Sequence, residues 1–553
     1  MATLLLLAAG ALRAQNAAGS TGASDSSGYS VRGTVVNSIS GQAVAHALVT
    51  LSDDQATLTD GDGQFSFDNV TGGQYMISVS KPGFLGFGNT GGSRGPHMVN
   101  RANVGQDTPP RRLQVGPNQP SITLRIAPAG IIAGQITLST SDPADGIHIT
   151  VYRREMHNGF PFWESVGETQ SRSDGTFRVG GLPPGRYVVV TQASLDGPEP
   201  SASSRLPVWG YPPVYNPGVT DPGSAGIINL AAGQQAEVDI AITRQQFFPV
   251  IAAVRSSEGQ SPVNFEVHDM GGHTTGLPVR YDNREQLLHA SVPNGSWVLE
   301  GRAFGRSISY GSAEFLVASA PVSLAINVAQ IPRIPVNIQR EFTGSNAPTN
   351  LGAAVNLMLF SAEPFASGSV SGGMSAVPGS NGSAFAINVM EAGRFWVEAF
   401  PASSAYVSSM TSGGVDLASN PLIVAPGSPT SSIDVTLRDD AGTITGQVNA
   451  GTADAPTGTP TPGDSAQVFI YAIPLSPTSG PMHGTLPGPD GSFSIPNIAP
   501  GSYRVVACDA PQQIEYHTPE GLAVWATKGQ TVTVDPSGTA HVTLDVIHVE
   551  TTP

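Results

Sequence analysis

Residues 60–80 read DGDGQFSFDNVTGGQYMISVS, and two later segments repeat their spacing: DGTFRVGGLPPGRYVVVT (174–191) and DGSFSIPNIAPGSYRVVA (490–507). Each has an Asp-Gly pair, two apolar residues at period two, a third apolar residue, a glycine and, two places on, a tyrosine. Asp-Gly accepts the positive φ of a tight turn, and apolar residues at period two line one face of a strand. The pattern therefore predicts two short antiparallel strands joined by a hairpin-like return.

Two weaker copies of the pattern lie between the second and third segments. One contains Trp297 at the aromatic position and the other contains Phe395, and both aromatic residues are predicted to lie in a core. The repeated glycines are 98 to 112 residues apart, which is the length of a β-sandwich domain rather than of a short solenoid unit. The chain is therefore predicted to contain five tandem modules, whose repeated glycines are Gly73, Gly185, Gly295, Gly393 and Gly501.

The predicted organisation begins with a leader and continues through the five modules. The boundaries are 1–14 (signal peptide), 15–27 (linker), 28–126 (module 1), 127–243 (module 2), 244–332 (module 3), 333–437 (module 4) and 438–550 (module 5). The last strand predicted for one module almost touches the first strand of the next, as at 122–126 and 131–136. Such short joints predict a semi-rigid rod.

Composition narrows the class of protein. Glycine and proline supply 65 and 46 of the 553 residues, and only 12% are charged, which disfavours long helices and favours turn-rich β structure. The formal net charge is −16, and Lys81 and Lys528 are the only lysines, so no nucleic-acid partner is expected. The single cysteine, Cys508, cannot form an intrachain disulfide.

The first residues, MATLLLLAAGALRAQ, combine a leucine run with small residues, the pattern of a secretory signal peptide cleaved after Ala14. No later stretch has about 18 consecutive apolar residues, so no transmembrane span is predicted after the leader. We expect a secreted or cell-envelope, extracytoplasmic protein.

The segments VRGTVVNSISGQAVAHALVTL (31–51) and GTITGQVNA (442–450), with the repeats that follow them, resemble the carboxypeptidase regulatory-like domain. The resemblance implies a transthyretin-like β-sandwich, a fold also grouped with starch-binding-like domains. Residues 211–242 and 406–448 resemble parts of multi-module secreted bacterial proteins built from such domains. We therefore predict an all-β fold, a tandem array of about five immunoglobulin-/transthyretin-like antiparallel β-sandwich modules.

Three motifs suggest chemistry, and each has a simpler explanation. His517 and Glu520 have the spacing of zinc ligands but flank a proline in a predicted loop. Residues 91–95 match a nucleophile elbow without the strand and helix that it needs. Asp60 opens an EF-hand-like loop, but Thr71 stands where the bidentate glutamate belongs. The sequence therefore predicts no catalytic residue, no metal site, no cofactor and no enzyme activity.

Aromatic residues provide the one binding signal, because sugars stack on flat rings. Two segments predicted in module 2 concentrate them: Phe160, Phe162 and Trp163, then Trp209, Tyr211 and Tyr215. Two interpretations stay open, namely a carbohydrate site and packing against the sandwich edge or a neighbouring module.

The resulting hypothesis is a non-catalytic exported binding, adhesion or spacer protein, with carbohydrate or a cell-envelope protein as its partner. The starch-binding-like resemblance implies carbohydrate binding. Two alternatives are an accessory component of a carboxypeptidase or polysaccharide-processing system, and a purely structural surface rod.

Overall fold

The computed structural model describes residues 28–52, 55–85, 111–117, 120–197, 199–201, 206–256, 263–304, 308–343, 354–365, 370–377, 384–402, 405–449, 468–476, 480–488 and 490–548. The predicted leader, the linker at 15–27 and the motif at 91–95 lie outside these residues. The part of the chain that is described is almost entirely β structure.

The strands of modules 1 and 2 are β1 (Tyr29–Asn37), β2 (Leu48–Leu51), β3 (Gln55–Leu58), β4 (Gln64–Val70), β5 (Gly73–Ser80), β6 (Phe84–Leu85), β7 (Arg111–Val115), β8 (Ile122–Pro128), β9 (Gly130–Leu138), β10 (His148–His157), β11 (Phe160–Gln170), β12 (Thr176–Leu182), β13 (Gly185–Thr191), β14 (Ser194–Leu195), β15 (Val208–Tyr211), β16 (Ile228–Leu230), β17 (Gln235–Glu237) and β18 (Ile240–Ile242). A 3₁₀ turn spans Pro222–Ser224.

The strands of modules 3 to 5 are β19 (Gln245–Ser256), β20 (Val263–His268), β21 (Val279–Asp282), β22 (Leu287–Pro293), β23 (Gly295–Phe304), β24 (Ile308–Val317), β25 (Val322–Gln330), β26 (Ile334–Glu341), β27 (Val355–Ser361), β28 (Val370–Ala376), β29 (Phe385–Val389), β30 (Gly393–Pro401), β31 (Tyr406–Ser412), β32 (Val415–Asp416), β33 (Leu422–Val424), β34 (Ile433–Arg438), β35 (Gly442–Asn449), β36 (Phe469–Pro474), β37 (His483–Thr485), β38 (Ser492–Ile498), β39 (Gly501–Cys508), β40 (Gln530–Val534) and β41 (Thr539–Ile547). One short helix, α1, spans Pro519–Ala523.

Buried apolar clusters lie in each of the five segments, at 31–126, 132–242, 247–328, 334–437 and 444–544, and the fourth also takes Tyr310 and Ile331 from module 3. Modules 1 and 2 each have two four-stranded sheets. The strands of modules 4 and 5 form one sheet each, of nine and seven strands, and the seven strands of module 3 form a nine-stranded sheet together with β14 and β15 of module 2. Trp297 and Phe395 are buried, which confirms their predicted place in the cores.

Every module departs from the antiparallel prediction, because its first strand pairs in parallel with a late strand, and in module 5 β41 also pairs in parallel with β39. The pairs made by the first strands are β1 with β8, β9 with β17 and β18, β19 with β25, β26 with β34, and β35 with β41. Two parallel strands start at the same end of a sheet, so the chain enters a module at one pole and leaves at the other. An antiparallel pair would return the chain to its entry pole.

The repeated pattern itself is also built differently from the predicted hairpin. Its two strands, β4 and β5 in module 1, belong to opposite sheets and face one core, and β12 and β13 do the same. A residue with positive φ lies four places before the repeated glycine where the chain crosses: Asn69, Gly181 and Asn497, at 61°, 78° and 60°. The strand register shifts at the same point, so this residue forms a bulge that turns the chain from one sheet to the other.

The turn before the pattern has the predicted backbone. Gly63, Gly175 and Gly491 have φ of 71°, 77° and 80°. The Asp60 carboxylate, which opens the EF-hand-like motif, accepts hydrogen bonds from the backbone N–H groups of Asp62 and Gln64 within this turn. Its role there is therefore to cap the turn.

The aromatic residue after the repeated glycine closes the crossing with a hydrogen bond. Tyr503 donates its hydroxyl to the Ala499 carbonyl at 2.8 Å, and Tyr187 donates to the Pro183 carbonyl. The Trp297 indole N–H donates to the Pro293 carbonyl at 3.0 Å. In all three cases the acceptor is four residues earlier, so the ring fills the core while its polar atom satisfies the crossing backbone.

The short joints are confirmed, but the modules do not form the semi-rigid rod predicted from them. One residue separates β8 from β9, two separate β18 from β19, and three separate β34 from β35. Module 2 nevertheless contacts modules 4 and 5, for example through the Arg154–Glu515 ion pair. A short joint fixes an angle between two modules without making it straight, and these angles bring the chain back on itself.

The hydrogen bond at the crossing gives a first prediction. Replacing Tyr503 with Phe keeps the buried ring but leaves the Ala499 carbonyl without its donor, so we expect a loss of about 1 kcal/mol in the free energy of unfolding. Urea unfolding of the full chain measures it. The control is Tyr75→Phe, at the same repeat position of module 1, where the ring is only half-buried. Equal stability of wild type and Tyr503→Phe would show that the bond has no such role.

Candidate functional site

The first predicted aromatic segment begins at the tip of a long hairpin in module 2. Strands β10 and β11 pair along their whole length and are joined by Asn158 and Gly159, both with positive φ. A Cβ on Gly159 would stand 2.6 Å from the Tyr516 ring of module 5, so glycine is required both by the turn and by this close approach. The turn therefore brings Phe160 against other modules.

Phe160 lies between two rings. Its centroid is 3.6 Å from that of Trp396 in module 4, at an interplanar angle of 13°. On the other side the His517 ring of module 5 stacks at 3.8 Å and 6°. We call this three-ring contact the junction stack. Both faces of Phe160 are occupied, so this ring has no free face for a sugar.

Charged groups surround the junction stack and also bridge the modules. His157 of β10 lies 2.6 Å from Glu398 of module 4. Arg154 forms an ion pair with Glu515 of module 5 at 2.8 Å, and Gln513 donates to Glu155 at 2.5 Å. Together with the rings, these contacts make one continuous interface among modules 2, 4 and 5.

Burial shifts the pKa values of two side chains in this interface. It raises the pKa of Glu155 to about 7, against the opposing pull of the neighbouring Arg153 guanidinium. It lowers the pKa of His517 to about 4, although the Asn158 backbone partly offsets the shift. His517 is therefore a neutral ring in the stack at neutral pH.

The other residues of the first segment take different places. The Trp163 backbone N–H donates to the Pro364 carbonyl of module 4 at 2.7 Å, and its ring stacks on Phe365 at a centroid distance of 6.1 Å. Phe162 is half-buried on the same strand. Trp163 thus joins a second contact between modules 2 and 4.

That second contact surrounds a buried polar network that includes Tyr215. The Tyr215 hydroxyl donates to Asp269 of module 3 at 2.5 Å, and the His273 backbone N–H donates to the same carboxylate at 3.0 Å. Phe365 of module 4 packs against the Tyr215 and His273 rings. Tyr215 and His273 are each 1% exposed and Asp269 is 7% exposed, so this Tyr-Asp-His group is buried at the contact between modules. Burial opposes ionisation of Asp269, yet the hydrogen bonds from His273 and Tyr215 hold its pKa below the usual value.

Trp209 and Tyr211 lie on β15, which extends the sheet of module 3 by pairing with β19. Trp209 is 45% exposed, and the Arg244 guanidinium stands 5.2 Å from the centroid of its ring. Arg244 is held in place by an ion pair with Asp196 at 2.5 Å. Tyr211 is half-buried against the core of module 2. Of the six predicted residues, Trp209 is the one with an exposed ring, and it is not close in the fold to the stack at Phe160.

The residues that sequence reasoning missed are the partners of these rings. In sequence, Trp396 simply follows the predicted core residue Phe395, and His517 belongs to a predicted loop. Neither has a local signal, because each partner comes from a module more than 200 residues away from Phe160 in sequence. In the structure Glu520 is exposed in α1, and no group of three or more His, Cys, Asp or Glu side chains in the described residues could hold a metal ion. Likewise, no helix in the described part of the chain is long and apolar enough to cross a membrane.

The low pKa of His517 predicts an acid-sensitive junction. A base whose pKa is lower in the folded than in the unfolded state stabilises the fold above the unfolded value of 6.5, and that stability is lost as pH falls towards 4. His517→Phe keeps a stacking ring that cannot be protonated. Between pH 7 and pH 4, we expect the free energy of unfolding of wild type to fall by about 2 kcal/mol more than that of this variant.

Calorimetric unfolding at a series of pH values measures this difference. His541→Phe, at an exposed position of module 5, is the matched control and should keep the pH dependence of wild type. A parallel pH dependence of wild type and His517→Phe would contradict the prediction.

Comparison with known proteins gives one family and several distant structures. Residues 30–93 match the model of the carboxypeptidase regulatory-like domain. No curated protein matches the chain.

Three examples from the similar solved structures are bacterial proteins. The TIE protein of Bacillus anthracis is 10% identical, with a TM-score of 0.17, over 55% of this chain and 51% of that protein, so the chain spans about half its length. A streptococcal ancillary pilin is 11% identical (TM-score 0.17; 54% and 99% covered). Two B repeat units of the collagen-binding protein of Staphylococcus aureus are 9% identical (TM-score 0.14; 70% and 93% covered). At these TM-scores the likenesses say nothing further about this chain.

The family match covers most of the described part of module 1, including the first copy of the repeat. The chain therefore contains a carboxypeptidase regulatory-like domain at residues 30–93.

Proposed function

We propose that the chain is a non-catalytic, exported scaffold protein that serves adhesion or structure at the cell envelope or outside the cell. Its modules 2 to 5 act as one preassembled unit that holds its exposed surfaces in fixed positions. The junction stack is the observation that carries this proposal. A chain that needed only to span distance would gain nothing from joining modules that are not consecutive.

The distribution of polar groups supports a role without catalysis. The group that most resembles a catalytic constellation, formed by Tyr215, Asp269 and His273, is buried at the contact of three modules. Its carboxylate is saturated by donors from its own protein. Such a network fixes the relative position of modules, as buried and fully satisfied polar groups do elsewhere.

Carbohydrate binding is a second candidate, and a specific observation favours it at Trp209. The indole ring is exposed on β15, which lies between β14 and β19, and the Arg244 guanidinium lies over the ring. The Arg244–Asp196 pair can donate hydrogen bonds to hydroxyl groups and accept hydrogen bonds from them. A flat ring flanked by polar groups is the usual composition of a sugar subsite. Phe160 does not share these properties, so the two aromatic segments have separate roles in this proposal.

The scaffold proposal predicts that the junction stack couples the unfolding of distant modules. Phe160→Ala removes a ring packed on both faces, and we expect it to lower the free energy of unfolding by about 3 kcal/mol. We expect wild type to unfold in one calorimetric transition and the variant to unfold in two or more. Phe400→Ala deletes the same atoms from an exposed position of module 4 and should leave the transition unchanged. A single transition in Phe160→Ala, at the temperature of wild type, would argue against coupled modules.

The carbohydrate candidate predicts a different pattern. If polysaccharide pull-down and glycan-array assays detect binding by the mature chain, Trp209→Ala should reduce it at least about tenfold, the effect of losing one stacking ring. Tyr211→Phe, which keeps the half-buried ring on the same strand, should bind as wild type. Undiminished binding by Trp209→Ala would place the sugar elsewhere. If wild type binds no carbohydrate, the scaffold role is the one proposal that remains.

A further inference from the structure

The third residue after each repeated glycine faces away from the module core. The five residues in this position are Met76, Val188, Val298, Trp396 and Arg504. Trp396 stacks on Phe160 of module 2, and Val188 packs in the buried cluster with Tyr215 and Phe365. The position therefore serves contacts outside the core, and it is apolar in four modules and charged in module 5.

Arg504 lies on the outer face of β39, beside a small second core of module 5. Ile473, Val506, Cys508 and Trp525 belong to this core, which is covered by the segment from Asp509 to Gln530 that contains α1. Between α1 and the sheet there is an open hollow of about 180 Å³. It is lined by Leu475, Arg504, Leu522, Ala523, Trp525 and Ala526. We call it the Arg504 hollow.

The guanidinium group is poorly satisfied in this apolar setting. Among the described residues, its buried Nε has no hydrogen-bond partner, and Nη1 donates to the Lys528 carbonyl over a long 3.5 Å. No carboxylate in the described part of the chain forms an ion pair with Arg504. An arginine has five donors and a permanent charge, so burying part of it without a counter-ion is unfavourable.

A second cation lies next to the same hollow. The Lys528 ammonium group stands 5.0 Å from the centroid of the Trp525 ring, and Trp525 lines the hollow. Lys528 is one of two lysines in a chain whose formal net charge is −16. The hollow therefore combines apolar walls with a local positive charge that contrasts with the protein as a whole, and this charge is complementary to an anion.

We propose that the Arg504 hollow binds a small apolar carboxylate, specifically the C-terminal residue of a peptide. The apolar side chain of that residue enters the hollow, and its carboxylate accepts hydrogen bonds from the Arg504 guanidinium, the planar donor suited to a carboxylate. The hollow has room for about one large side chain, which favours a single terminal residue over a long acyl chain. This site is separate from the junction stack and does not depend on the scaffold role.

The test measures binding to the full chain by calorimetry and by Trp fluorescence. The probes are the peptide Gly-Gly-Gly-Phe with a free carboxylate, the same peptide as its C-terminal amide, and decanoate as a long-chain carboxylate. We expect the free peptide to bind at least about tenfold more tightly than the amide. Equal binding of the two peptides, no binding of the free peptide, or tighter binding of decanoate would each overturn the proposal.

The variant Arg504→Val gives module 5 the residue that module 2 has at the equivalent position, Val188. An apolar residue is therefore already tolerated at this outward-facing position of the repeat. The variant should lose the preference for the carboxylate over the amide while unfolding as wild type does. Arg504→Lys keeps the charge but not the planar donor pair, and should bind with intermediate affinity. The control Arg186→Val removes an exposed arginine of module 2 and should bind as wild type. Retention of the preference in Arg504→Val would contradict the assignment.

Discussion

The arrangement of modules 2, 4 and 5 depends on one aromatic contact, in which Phe160 lies between Trp396 and His517. A ring covered on both faces loses most of its contact with water, and the gain is available only when three modules meet. Gly159 permits the approach, since a side chain there would collide with Tyr516. The surrounding pairs, such as Arg154 with Glu515, then fix the orientation of the modules rather than supply most of the stability.

The same repeat is used for two purposes. The inward-facing aromatic residue of the pattern has the same role in three modules, because Tyr187, Trp297 and Tyr503 all fill a core and all donate to a carbonyl four residues earlier. The outward position has diverged instead: it packs against another module through Val188 and Trp396, and lies beside an open hollow as Arg504. New contacts can therefore arise on one module without changing how any module folds.

Sequence reasoning predicted the all-β class, the turns at Gly63, Gly175 and Gly491 and the buried aromatic residues, because each of these depends on residues close together in the chain. It misjudged what depends on pairing at long range. The strands of the pattern were expected to pair with each other, but a period-two pattern says which face of a strand is buried and not which strand lies beside it. Phe160 could equally have been a sugar platform, since the sequence of module 2 contains no trace of Trp396 or His517 as its partners.

Small-angle X-ray scattering from the full wild-type chain tests the central claim most directly. A folded-back chain of this length should have a radius of gyration of about 25 to 35 Å, close to that of a compact protein. Five modules in a straight line would give about 50 Å, since each has a diameter of roughly 34 Å. A value near the first range, together with a single maximum in the distance distribution, is what the account predicts. A value near 50 Å with the profile of a long rod would contradict it.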